Sequence, residues 1–254
     1  MNPEITLHNG DCLEYMSTMP VGSVDAIITD LPYGTTHNKW DVVIPFEPMW
    51  ELISRVLKPR GVFVTTASQP FTSMLIVSNL AWFRYCLVWE KSIASGFLDV
   101  SRKPLKSHED IAIFSHERST YNPQMERGKA YKKKDFPNRS SHYGNINPRE
   151  YVNTGTRHPR TVIKISNGNQ NSVHPTQKPI ALYEYLVETY TNPGETVMDF
   201  TAGSGTTGCA AIRLGRKFIG VEKDAGYFEI MKKRLAETKL QPALFQVASE
   251  NSPV

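Results

Sequence analysis

Val197-Met198-Asp199-Phe200-Thr201-Ala202-Gly203-Ser204-Gly205-Thr206-Thr207-Gly208 reads as the end of a strand, a glycine-rich turn and the start of a helix. A short apolar run closes on Asp199, and a helical pattern begins near Thr206. Glycines let a backbone approach a ligand closely, and a helix N-terminus presents free amide donors. The next strand pattern, 217–221, is followed at once by Glu222, an acid placed to accept hydrogen bonds from ribose hydroxyls. Strand, glycine turn, helix, strand and acid together describe an adenosine-binding α/β unit.

Outward from this unit, short apolar runs alternate with helical patterns. Strands are expected at 5–8, 24–29, 62–66, 85–89, 111–114, 197–199 and 218–221, and helices at 13–19, 48–57, 71–79, 180–190, 206–214 and 225–237. Lys58-Pro59-Arg60-Gly61 reads as a helix stop. Such alternation implies a largely parallel sheet covered on both faces, a doubly wound α/β fold. The 254 residues suit one α/β domain carrying an insertion.

A second motif, Asp30-Leu31-Pro32-Tyr33, follows the buried-strand pattern 24–29. Ligands of open α/β sheets sit beyond the carboxyl ends of such strands. There a carboxylate can accept hydrogen bonds from an amino group, and a tyrosine can stack on a flat ring. The ordinary alternative is an Asp-x-Pro turn that closes a strand.

The alternating pattern fails over 115–168, where aliphatic residues are few and Tyr121, Tyr131, Phe136, Tyr143 and Tyr151 stand among basic residues. The stretch is too long for an ordinary connection and reads as a functional insertion. From Ser115 to Ile165 there are eleven Lys or Arg against four acids, whereas the remaining chain is net negative by three. Positive charge gathered in one segment points to a polyanionic partner.

Cys12, Cys86 and Cys209 are scattered without a Cys-x-x-Cys pair, and the seven histidines lack metal-ligand spacing. No metal site is expected, and a reducing, cytoplasmic setting is. The N-terminal residues do not read as a signal peptide, and no apolar run approaches the ~20 residues that span a bilayer, so no membrane association is expected. Gly203 to Gly208 also matches G-x-G-x-x-G, the dinucleotide fingerprint of nicotinamide oxidoreductases. Asp199 beside the turn would sit awkwardly near a pyrophosphate, but it suits a cationic amino-acid tail or a sulfonium. S-adenosylmethionine is therefore the expected cofactor.

With Asn9-Gly10-Asp11-Cys12, Asp30-Leu31-Pro32-Tyr33, His174-Pro175-Thr176-Gln177-Lys178-Pro179 and Asp199–Thr207 all present, the chain resembles the β class of amino-methylating DNA methyltransferases. The resemblance covers about Ile5 to Leu235 and is weakest across the insertion. It implies a permuted, seven-stranded S-adenosylmethionine-dependent methyltransferase sheet with one antiparallel strand. The strand at 197–199 would be central, with 24–29 beside it. It also implies a catalytic half at 1–114, a target-recognition insertion at 115–170, a cofactor-binding half at 171–240 and a tail at 241–254.

The resemblance implies roles for individual residues. Asp199, Phe200, Gly203, Ser204, Gly205, Thr206 and Thr207 would line the cofactor, with Glu222 on its ribose and Asp11 and Cys12 at its adenine. Asp11 equally suits a helix N-cap. Thr176 and Lys178 would meet the methionine end, Lys178 pairing with the carboxylate there. Asp30 and the carbonyl of Leu31 would hold the amino group, Pro32 would shape the bend, and Tyr33 would stack on a flipped base. For a second aromatic, Trp40, Phe71 and Phe97 stay open. Arg127, Lys132, Lys133, Lys134, Arg139, Arg157 and Arg160 would contact DNA.

The family usually has proline where this chain has Leu31, but a backbone carbonyl is what that place contributes. The implied reaction is site-specific methylation of adenine N6 in DNA, of the restriction-modification kind. N4-cytosine methylation is the alternative, since its geometry is nearly the same; enzymes of that type usually carry Ser at the place of Asp30, which favours adenine. A non-catalytic DNA-binding protein is a further reading. Homodimers occur in the family, and no surface in the sequence identifies an interface.

Overall fold

The computed structural model describes residues 3–35, 38, 41–134, 138–140, 144–146, 150–168 and 177–240. Thr176, Trp40 and the tail at 241–254 lie outside them, as do the side chains of Lys133, Lys134 and Arg139. Two compact units result, one of Met1–Asn122 with Thr161–Val254 and the other of Pro123–Arg160.

The larger unit carries one sheet. Its strands are β1 (Ile5–Asn9), β2 (Val24–Asp30), β3 (Leu57–Ala67), β4 (Phe83–Ser95), β5 (Lys106–Phe114), β6 (Val162–Lys164), β7 (Thr196–Asp199) and β8 (Lys217–Glu222). They lie in the order β1-β8-β7-β2-β3-β5-β4-β6. Only β5 runs against its neighbours. All seven expected strands form. The eighth, β6, adds three residues to the edge beside β4 and buries only Ile163, too little to stand out as a pattern.

Helices α1 (Cys12–Thr18), α2 (Phe46–Val56), α3 (Phe71–Ser78), α4 (Ile180–Tyr190), α5 (Thr206–Arg213) and α6 (Ala225–Leu240) cover the two faces. Alternation along the strands sorts the core. Ile28, Val62, Val64, Ile111, Ile113 and Val197 pack with Leu182, Leu186 and Val187 of α4, Ala210 and Ala211 of α5, and Met231 of α6. Ile27, Phe63, Ala112, Phe114 and Met198 face the other way, onto Met16, Met49, Ile53, Val56 and Leu75 of α1 to α3. Strands buried on both faces are what a parallel sheet between two helical layers requires. Each large aliphatic or aromatic side chain so buried contributes about 1.5–3 kcal/mol.

The helix stops just before Lys58-Pro59-Arg60-Gly61, at Val56, and β3 starts at the next residue, Leu57, well before the expected strand at 62–66. Pairing jumps from Val24–Leu57 to Ala26–Val62, so Lys58 to Gly61 bulge out of the ladder. A bulge admits a proline, which cannot donate to a neighbouring strand.

The smaller unit is more regular than its sequence predicts. Three antiparallel ladders pair Glu126–Arg127 with Thr156–Arg157, Tyr131–Lys134 with Glu150–Asn153, and Asn138–Ser140 with Gly144–Ile146. The strands are only two to four residues long, and Arg157 braces backbone carbonyls of the unit, so hydrophobic periodicity has no room to show.

Candidate active site

After β7 the chain crosses through α5 to β8 on one side, and after β2 it crosses through α2 to β3 on the other. Because β7 and β2 are adjacent, these crossovers diverge and leave a crevice at the carboxyl ends of the two strands. A cleft of about 670 Å³ opens there. Its walls come from Gly10–Leu13 after β1, Asp30–Pro32 after β2, the apolar run Val42–Pro45, Gln177 and Lys178, the glycine turn after β7, and Glu222–Asp224 after β8.

The glycine turn is built by hydrogen bonds to its two acids. Asp199 is buried, and its Oδ1 accepts from Thr29 Oγ1 at 2.6 Å and from the Thr201 amide at 3.1 Å. Its Oδ2 accepts from Thr207 Oγ1 at 2.6 Å. Burial pushes this carboxyl up to about 6 despite those donors. Glu222 Oε2 accepts from the Gly203 amide at 2.7 Å, and its Oε1 from the Asp224 amide at 2.8 Å. Gly205, at φ +79°, caps α5 in the left-handed region, and a Cβ there would stand 2.7 Å from Met231 Cγ. Across the cleft, Asp11 caps α1 through the amides of Leu13 and Glu14 and pairs with Lys223 at 3.2 Å. It therefore holds the N-cap place and lines the cleft as well. Beside it, burial pushes the Cys12 thiol up to about 11, so it stays protonated.

Asp30 sits among donors. Its Oδ1 accepts from Tyr33 Oη at 2.8 Å and from Thr66 Oγ1, while its Oδ2 accepts from Lys178 Nζ at 2.6 Å. Burial, then the charge of Asp30, holds the Tyr33 phenol well above its usual range, keeping it a donor. Burial disfavours the Lys178 ammonium, yet Asp30 and Glu109 together hold its pKa above the ordinary value. The loop beyond is tied by Asp41, which accepts from the amides of Gly34 at 2.8 Å and Thr35 at 2.9 Å. Thr201 Oγ1 donates to the Asp30 carbonyl at 3.0 Å, lacing this loop to the glycine turn.

Of the residues singled out from the sequence, Asp11, Cys12, Asp30, Leu31, Pro32, Lys178, Asp199, Phe200, Gly203, Ser204, Thr206, Thr207 and Glu222 line the one cleft. Gly205 and Tyr33 do not line it, Gly205 being packed against α6 and Tyr33 set behind Asp30. The Tyr33 ring meets Phe71, centroids 5.3 Å apart, with Lys178 Nζ 5.7 Å from its centre. Phe97 is largely exposed. In the smaller unit Arg127, Lys132 and Arg160 are exposed. Arg157 is engaged there: it donates to Lys129 O at 2.6 Å and Thr156 O at 2.9 Å, and lies over the Tyr131 ring at 4.7 Å.

Glu109, Asp41, Thr29 and Tyr183 were not singled out from the sequence. Each belongs to an unremarkable strand, loop or helix; packing brings Tyr183 to the cleft wall and sets Glu109, Asp41 and Thr29 behind it, against Lys178, the Asp30 loop and Asp199. Among the described residues, no helix is long and apolar enough to cross a membrane, and no cluster of three His, Cys, Asp or Glu is placed to hold a metal.

Residues 24–233 match the family model described as DNA methylase. The DNA adenine methyltransferase YhdJ of Escherichia coli (strain K12) is 29% identical over 251 residues, 92% of this chain and 83% of its own. The M1.HpyAVI–SAM complex superposes with a TM-score of 0.62 at 24% identity, covering 91% of this chain and all of that one. The PvuII DNA methyltransferase, cytosine-N4-specific, does so with a TM-score of 0.64 at 17% identity over 95% of each chain.

Proposed function

We propose, from the premise that this chain belongs to the DNA methylase family, that it transfers a methyl group from S-adenosylmethionine to N6 of an adenine in DNA. The observation that carries this reading is the meeting, in one cleft, of the Asp30 carboxylate and the glycine turn after β7.

The cleft fits the cofactor. Apolar Phe200 and Val42–Pro45 offer a surface for a flat ring, and the partly exposed carboxylates of Asp11 and Glu222 keep lone pairs for hydroxyl and amino donors. Gly203, at φ +52°, leaves open space where a Cβ would stand. When bound, S-adenosylmethionine supplies an electrophilic methyl on a sulfonium whose sulfur leaves with the bonding pair as a thioether.

An adenine amino nitrogen is a poor nucleophile because its lone pair is delocalised into the ring. Asp30 and the Leu31 carbonyl accept its two hydrogens and direct the lone pair at the methyl. The nitrogen forms the new N–C bond, and its surplus proton departs through Asp30 or water. Holding the reacting atoms about 3–3.5 Å apart provides much of the acceleration. The base must leave the stack to reach this position, at a cost of a few kcal/mol. Tyr33, behind Asp30, holds that carboxylate through its phenol.

The unit Pro123–Arg160, the core of the insertion, is proposed as the target reader. Exposed Arg127, Lys132 and Arg160, with Lys133, Lys134 and Arg139, supply phosphate and base-edge contacts.

A cytosine-N4-specific enzyme has the same fold, so the fold does not choose the base. The carboxylate at position 30 favours adenine, as does the adenine enzyme among the relatives. The test is methylation of plasmid DNA and of RNA with labelled cofactor, followed by nucleoside analysis. N6-methyladenine in DNA is expected. Label on N4-methylcytosine alone would overturn the base assignment, and label confined to RNA would overturn the substrate. Asp30→Ala should lose transfer while cofactor binding is largely retained.

A further inference from the structure

Lys178 stands between two carboxylates. Its Nζ is 2.6 Å from Asp30 Oδ2 and 3.4 Å from Glu109 Oε2. Glu109 Oε1 is engaged by Lys91 Nζ at 3.2 Å, but its Oε2 is buried and makes no hydrogen bond among the described residues. Lys178, Glu109 and Lys91 are shielded from water, with side-chain exposures of 11%, 13% and 7%, while Asp30 keeps 29%. Lys106 brings a third ammonium near this group, and one carboxylate oxygen, Glu109 Oε2, is left without a hydrogen bond among the described residues.

This arrangement conflicts with the chemistry proposed above if it stays fixed. Asp30 Oδ1 already has two donors, so Oδ2 is the oxygen left for an incoming amino group. Lys178 already donates to it. Oδ2 keeps a second lone pair, but a carboxylate bound to an ammonium is a weaker acceptor for an arylamine. Asp30 regains its full acceptor strength when Lys178 withdraws, and in a poorly solvated site an ammonium withdraws toward another negative charge. Glu109 Oε2 lies within the reach of a small side-chain rotation and has a free lone pair.

We propose that Glu109 is a positioning residue for methyl transfer: it receives Lys178 when the target amino group takes Asp30 Oδ2. The inference rests on the proposed amino-methyl transfer and adds a residue to it. Drawn to Glu109, Lys178 leaves Asp30 free to accept while keeping a cation near the ring of Tyr33. Glu109 touches neither base nor cofactor, and acts only through Lys178.

The test is a double-mutant cycle on the full chain, read by steady-state DNA methylation and by calorimetric cofactor binding. Glu109→Gln should pin Lys178 on Asp30 and lower kcat by about 10–100-fold, the scale of a misplaced reacting group. Cofactor affinity should stay within about twofold, which also reports an intact fold. In a Lys178→Gln background the same Glu109 substitution should cost nothing further. Glu109→Asp preserves the charge but draws the oxygen back, and should also lower kcat, which covers the case of Glu109→Gln failing to fold. Equal losses in both backgrounds, or full activity of either Glu109 variant, would overturn the proposal. A wild-type chain that methylates no amino group in DNA refutes the underlying reaction instead, and that outcome is read before any variant is made.

Discussion

Thr29 Oγ1 donates to Asp199 Oδ1 at 2.6 Å, joining two residues 170 positions apart. Thr29 precedes the Asp30 loop, and Asp199 closes the strand that opens the glycine turn. The same hydroxyl lies 2.6 Å from Thr201 Oγ1, whose own oxygen reaches the Asp30 carbonyl. The Asp30 loop and the glycine turn are therefore one hydrogen-bonded body.

Thr29→Val keeps the shape of the side chain and removes the donor. A buried carboxylate losing a hydrogen bond costs about 1–3 kcal/mol, and in a chain of this size each kcal/mol lowers Tm by about 2–4 °C. Calorimetry should show that fall together with weaker cofactor binding. An unchanged Tm would mean that the two motifs are not mechanically joined.

Asp199 gives a pH signature. Its folded value of about 6 exceeds the ordinary 3.8, so its contribution to stability is fully present below 3.8 and is lost as pH rises through 6. The difference corresponds to roughly 3 kcal/mol. Denaturation from pH 4 to 7 should show Asp199→Asn gaining on the wild type by about that amount, with most of the change between pH 4 and 6. Parallel curves would place Asp199 in a solvated environment.

Gly205→Ala asks an L-residue to hold φ +79° and sets a Cβ 2.7 Å from Met231 Cγ. The left-handed conformation alone costs about 1–2 kcal/mol. Urea unfolding should register at least that loss, and cofactor affinity should fall because the N-terminus of α5 shifts. Retained affinity would separate the turn from the ligand.

DNA binding should weaken with salt, by about 0.9 in log K per decade for each phosphate neutralised. Arg127→Gln and Arg160→Gln should each flatten that slope by about one if they hold phosphates. Arg157→Gln should behave differently. Its guanidinium braces the smaller unit, so the expected effect is faster proteolysis within Pro123–Arg160. A salt-independent affinity would remove the case for DNA contact through this unit.

Much of the fold was legible because its signals are local. The seven strands, the helices and the turn at Gly203–Gly208 are written in periodicity and turn chemistry, which depend on neighbours a few residues apart. Less legible was Lys178. It stands 148 residues from Asp30 in sequence, yet its ammonium bonds that carboxylate while the residue lines the cleft, and no local pattern pairs the two. Glu109 carried no signal, because in sequence it is one acid in a half-buried strand. The smaller unit hid its ladders behind strands of two to four residues, too short to show a period.

The sequence by itself determined that Asp199 ends a strand before a glycine turn and that Asp30 ends another, because apolar runs and turn residues specify such ends locally. Only the tertiary structure decided that the two strands are neighbours and that Asp30, Lys178 and Glu109 share a water-poor pocket. That follows from strand order, which brings β2, β3 and β5 side by side and sets residues from distant segments within hydrogen-bond distance. No local pattern encodes such a meeting, since its energy exists only after the sheet has closed and water has been excluded.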